Sequence, residues 1–220
     1  MTLNCAYLGT VLLVAALGST GEATLYLDDH CGETIRVHGD RMYSQSTKNY
    51  DNNMDCLVTI QAPYDYQIVT IDFSWVDLFN RGCYDYIEIC DTNGTLLNTI
   101  CANWEPRDIY SSGNFIYIRM VTDDSRVDRG FSLVFTAFHY DYDLACNDTY
   151  EFKCSGNDRC IDDSLVCDDK NNCNNAYDED DCSDASTLRL SVVSFWVPLN
   201  ALEDTNVEKA NISVDHRPLV

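Results

Sequence analysis

The chain has 220 residues, enough for one or two domains with one sizeable core. Acids outnumber bases 36 to 14, for a formal net charge of -22, which excludes attraction to nucleic-acid phosphates or anionic lipid and points to cationic partners or metal ions. Residues 1–23 read as a secretory signal peptide: an apolar run from Ala6 to Leu17, too short to span a bilayer, then Gly18, Ser19, Gly21 and Ala23 at cleavage-compatible positions. Cleavage would remove Cys5 and leave eleven of the twelve cysteines in an oxidising compartment, so that one thiol lacks a partner. Glycosylation sequons at Asn93, Asn147 and Asn211 agree with a secreted, extracellular product.

The stretch 31–138 carries short period-two runs bounded by turn residues: Leu57 to Gln61, Ile68 to Phe73, Tyr84 to Ile89, Phe115 to Val121 and Phe131 to Ala137. No amphipathic helix of useful length intervenes, so the expectation is an antiparallel β-sandwich and a mainly β protein. The order of finer signals is Cys31-Gly32, Tyr50 ahead of Cys56, Cys83-Tyr84-Asp85-Tyr86-Ile87-Glu88-Ile89, Cys101, and Gly130-Phe131-Ser132-Leu133-Val134-Phe135 at the close. Together these resemble a CUB domain. Asp51 and Val58 depart from the pattern, where Pro and Trp often stand.

The resemblance implies bridges Cys31 with Cys56 and Cys83 with Cys101. It also implies a calcium ion at one end of the sandwich, held by Asp85, Asp123 and a third acid, for which Asp77 is the nearest candidate because Phe79 takes the best-aligned place. The alternative is that Asp85 and Asp123 are loop acids bonded to nearby backbone N–H groups. On these pairings Cys90 is the unpaired thiol. Alternation puts it on the face of Tyr86 and Glu88, where it would either bridge to a second chain as a disulfide-linked dimer or lie buried as a small apolar residue.

Residues 139–145, opening His139-Tyr140-Asp141-Tyr142-Asp143-Leu144, read as a short acidic, aromatic linker. Six cysteines then crowd into residues 146–182 with gaps of seven, five, six, five and eight residues. This stretch holds eleven acids against three bases and few large apolar residues beyond Phe152, Ile161, Leu165 and Val166. A segment that short and charged cannot fold on apolar burial alone. Disulfides offset part of the deficit, at about 2–4 kcal/mol each, but leave the carboxylates repelling one another. A divalent cation with oxygen ligands, calcium above magnesium or zinc, would relieve that repulsion.

Glu151-Phe152-x-Cys154, Arg159-Cys160-Ile161, Cys167-Asp168 and Asp178-Glu179-x-x-Cys182 resemble the LDL receptor class A module over the whole stretch. The resemblance implies pairings Cys146 with Cys160, Cys154 with Cys173 and Cys167 with Cys182, an order that spacing leaves open among fifteen. It implies a calcium cage from the side chains of Asp168, Asn172, Asp178 and Glu179 and the carbonyls of Leu165 and Lys170. Three departures stand in it: Asn172 for an Asp, Leu165 for the Trp of ligand-binding members, and Lys170 for an acid. In such members the ring and the acids grip a partner's lysine, so the grip is largely dismantled here and a purely structural module is an equal reading.

Residues 183–220 form a tail without cysteine, expected to be disordered, and its apolar patch from Val192 to Leu202 is too short for a membrane span. Four histidines occur and none sits in a nucleophile or metal motif, and there is no Cys-x-x-Cys, so no catalysis is expected. The functional expectation is a calcium-dependent extracellular protein-binding protein whose partners are secreted or cell-surface proteins with basic surfaces. The alternatives are a non-catalytic regulatory fragment of a secreted or membrane protease, and a soluble or ectodomain form of a membrane receptor or channel auxiliary protein.

Overall fold

The computed structural model describes residues 24–79, 82–101, 103–180 and 182. The signal peptide with Cys5, the sequon at Asn211 and the tail 183–220 lie outside them. The chain divides into units at Ala185/Ser186, and every described residue belongs to the first.

Among the described residues twelve strands follow in chain order: β1 (Leu25–Tyr26), β2 (Thr34–Arg36), β3 (Gly39–Tyr43), β4 (Asp55–Gln61), β5 (Ile68–Asp77), β6 (Tyr86–Cys90), β7 (Leu96–Ile100), β8 (Ile109–Tyr110), β9 (Phe115–Val121), β10 (Gly130–Tyr140), β11 (Glu151–Lys153) and β12 (Arg159–Asp162). One sheet runs β2-β4-β9-β6-β7, and the other sets β10 between β3 and β5, with β1 and β8 outermost. Most pairings are antiparallel, the two short exceptions being β1 with β3 and β2 with β4. The sheets face each other across one apolar core. Ile116, Ile118 and Met120 of β9 and Val58 and Ile60 of β4 enter it from one side, Val69, Ile71, Phe73, Phe131, Leu133 and Phe135 from the other.

β9 shows what a half-buried strand looks like, burying every second residue while its other face stays partly open. β10 differs: its first ten residues are all buried. Phe131, Leu133, Phe135 and Ala137 face the sandwich core. Phe138 packs instead with Ile161, Leu165 and the half-cystines Cys154 and Cys173. The six-cysteine stretch therefore covers the outer face of β10, and continuous burial is the signature of a strand covered on both sides.

β10 also runs on through His139 and Tyr140, the first residues of the expected linker. There it leaves the sandwich and pairs with β12, His139 opposite Cys160 and Tyr140 opposite Arg159. β11 adds antiparallel to β12 and completes the hairpin. One strand thus serves both parts of the molecule.

Five disulfides join described cysteines: Cys31–Cys56, Cys83–Cys101, Cys146–Cys160, Cys154–Cys173 and Cys167–Cys182. The expectation of an unpaired Cys90 does not hold: Cys90 is disulfide-bonded and fully buried. Of the two alternatives for Cys90, the buried position agrees with the structure, although the sulfur is bonded. Cys90 stays in register with β9, opposite Tyr117, and Glu88 on the same face by alternation is buried as well, so that face of β6 is covered at this end.

Candidate functional site

The end of the sandwich comes first. Asp85 is buried, and its two carboxylate oxygens accept from the Tyr50 hydroxyl at 2.6 Å and the Asp123 backbone N–H at 2.8 Å. Burial and that hydrogen bond push the Tyr50 hydroxyl well above the ordinary phenol range. The Asp123 carboxylate in turn accepts from the Ser125 N–H at 2.7 Å. The structure brings these two acids together but not Asp77, which is held by Arg129 at 2.5 Å and by Asn103 at 3.2 Å. Phe79 stands beneath the guanidinium of Arg126, 5.3 Å from its ring centre. A cation here would meet two carboxylates already engaged by the chain, and among the described residues no third acid closes on them, so the residues described do not fit a calcium site.

The six residues expected around the second ion do converge. Asp178 is fully buried, its oxygens accepting from the N–H groups of Asn172 at 2.6 Å and Cys173 at 3.1 Å. Glu179 accepts from the N–H groups of Asp168 at 3.0 Å and Asp169 at 3.1 Å. Asp168 accepts from the Lys170 N–H at 2.9 Å and faces the Lys170 ammonium at 3.3 Å. Burial raises the Asp168 carboxyl to about 6 against the lowering pull of Lys170, with Glu179 adding to the rise. The side-chain nitrogen of Asn172 points at the remaining oxygens. Every expected ligand oxygen in this corner already accepts a hydrogen bond from the chain or faces the Lys170 ammonium.

This corner lies on the sandwich. The Thr136 hydroxyl of β10 donates to Asn172 Oδ1 at 2.8 Å, Arg41 of β3 donates to the Asp169 carbonyl at 3.1 Å, and the Lys170 ammonium lies 3.5 Å from Asp40. Gly39 permits the approach, since a Cβ there would come within 3.0 Å of the Phe135 carbonyl and 3.2 Å of both Asn172 Oδ1 and Leu165 Cδ1. On the other side of the joint, Arg159 is buried with its guanidinium 4.6 Å from the Phe138 ring centre, and it donates to the Tyr110 hydroxyl at 2.6 Å. Asp141, Cys146 and Cys160 also cluster, but the two sulfurs are bonded to each other, which leaves no thiolate for a metal.

Sequence reasoning passed over an aromatic surface. Tyr64 and Tyr66, in the turn between β4 and β5, stack at 5.3 Å between ring centres and 7° between planes, and each is nearly half exposed, at 44% and 45%. Tyr66 meets the His139 ring edge-on at 5.2 Å. His139 Nε2 and Glu151 Oε1 pair at 3.1 Å in the interior behind it. Burial, and then the charge of Glu151, push the Tyr66 hydroxyl up to about 12. Tyr150, 43% exposed, stands next to Glu151 in the chain. The available signal was two tyrosines, Tyr64 and Tyr66, close together in a turn.

Residues 31–135 match the model of the family described as "CUB domain". The chain carries a CUB domain. Human neuropilin-1 is 32% identical over 145 residues, 63% of this chain and 15% of that protein, and pig cubilin is 32% identical over 115 residues, 49% of this chain and 3% of that protein. The chain thus spans a small part of the curated relatives it matches. Among solved structures, the MASP-1 CUB2 domain described as bound to Ca2+ superposes with a TM-score of 0.43 and 23% identity, over 48% of this chain and 98% of that one. The CUB domain accounts for the sandwich through Phe135, and the match stops before the hairpin that β10 enters.

Proposed function

We propose that the chain is an extracellular, non-catalytic protein-binding piece in which the CUB domain and a class A-like module present one joint surface to basic side chains of a partner protein. The observation that carries this reading is the exposed Tyr64–Tyr66 stack, backed by His139 of β10, which pairs with Glu151 of the hairpin. Stacked, half-exposed tyrosines offer two π-faces at low entropic cost, the composition of binding hot spots. On a chain of net charge -22 the complementary group is a Lys or Arg. Five disulfides among the described residues support an oxidising, extracellular setting.

The test is capture from extracellular fluid on the immobilised full chain, followed by affinity measurement of each captured protein against wild type and a Tyr64→Ala/Tyr66→Ala double variant. Removing both rings should weaken binding at least tenfold, and added salt should weaken the wild-type complex. Equal affinity for both forms would sink the reading.

A further inference from the structure

The side-chain nitrogen of Asn172 lies 3.1 Å from Asp168 Oδ1, 3.3 Å from the Lys170 carbonyl and 3.4 Å from the Leu165 carbonyl. Three acceptor oxygens around one atom call for a donor or a cation. The other end of the same amide accepts the Thr136 hydroxyl, which turns the nitrogen toward the three oxygens. The other acceptors of the corner are engaged as well. Asp178 and Glu179 spend both oxygens on backbone N–H groups, and the second oxygen of Asp168 faces the Lys170 ammonium.

We infer that this corner is closed by the chain's own nitrogen donors, the Asn172 amide and the Lys170 ammonium, and keeps its shape without a divalent cation. The amide takes the central place and the ammonium supplies the positive charge. An acid in place of Asn172 would add a charge and remove the donor, so Asn172→Asp would convert a self-satisfied corner into a cation-requiring cage. Lys170 contributes further because its ammonium lies between Asp168 and Asp40, so the positive charge that quiets the acids also ties the corner to β3. Leu165, which is buried, and Asn172 rest over Gly39. These two residues of the corner are consumed in docking onto the sandwich. Entry of calcium would require turning the amide over, giving up the hydrogen bonds that its two N–H groups share among the three oxygens, and moving Lys170 away from Asp168.

Hydrogen exchange of the full chain, read over residues 165–179 with excess chelator and with millimolar calcium, is the direct experiment. In the wild type, protection should be the same in both conditions. In Asn172→Asp it should be low with chelator and rise at least tenfold with calcium. Restricting the readout to this segment separates it from any ion at the Asp85 end of the sandwich. Calcium-dependent protection in the wild type overturns the inference, as does an Asn172→Asp chain that folds but stays indifferent to calcium. The wild-type arm remains decisive if the variant does not fold, and this inference can fail while the tyrosine surface stands.

Discussion

Within the CUB domain, β4 and β9 bury alternate residues against a core shared by two sheets, and some two dozen apolar side chains close around one another. Among the described residues of the six-cysteine stretch no strand exceeds four residues, and the buried cluster holds Ile161, Leu165 and two half-cystines together with Phe138, which belongs to β10. The first region buries its own apolar surface. The second is held by three disulfides and by a ring borrowed from its neighbour, so its order depends on the sandwich more than the sandwich depends on it.

The sharpest way to break this comparison is to remove the borrowed ring. Phe138→Ala should cost about 3–5 kcal/mol, the usual range for a buried Phe. Hydrogen exchange should show residues 146–182 opening well before the β4–β9 ladder. Uniform loss of protection in both regions would show that they unfold as one. A smaller effect is expected from Gly39→Ala, which sets a methyl group against the Phe135 carbonyl, Asn172 and Leu165. It should destabilise by about 1–3 kcal/mol, with the loss again concentrated in the docked corner.

The smallest effect concerns pH. Burial raises the Asp72 carboxyl above its ordinary value, with the charge of Asp108 adding to the rise and the Asp108 N–H, Arg159 and Arg107 opposing it. A raised carboxyl makes its contribution below about pH 4 and loses it as pH climbs through the shifted value. Wild-type stability, followed by denaturant midpoints from pH 4 to 7, should therefore fall more steeply than that of Asp72→Asn. Parallel curves would assign the slope to other groups.

Much of the sandwich was legible in the sequence because a half-buried strand leaves a period of two. β4, β9 and the inner face of β10 are written that way, and so are the first six residues of β5. β3 was illegible: Gly39-Asp40-Arg41 looks like a turn, and its polar residues make sense only against Asp169 and Lys170, more than a hundred residues downstream. The far end of β10 was hidden for a similar reason, since His139 and Tyr140 pair with a strand of the next module. Within the corner, the residues that converge could be named from their resemblance to a known module. The donor role of Asn172 could not, because it depends on Thr136, a residue 36 positions away in another part of the fold.

A strand shared by two ladders has a mechanical consequence. Bending the molecule at Phe138–His139 would break inter-strand hydrogen bonds on both sides of the border at once, so this crossing has no soft point at which to hinge. Torque delivered to the hairpin by a bound partner would pass along β10 as through a beam and reach the β3 and β5 ladders. The hairpin then acts as a fixed arm of the sandwich, and the distance between footprints on the two parts is set by the fold and not by the reach of a tether.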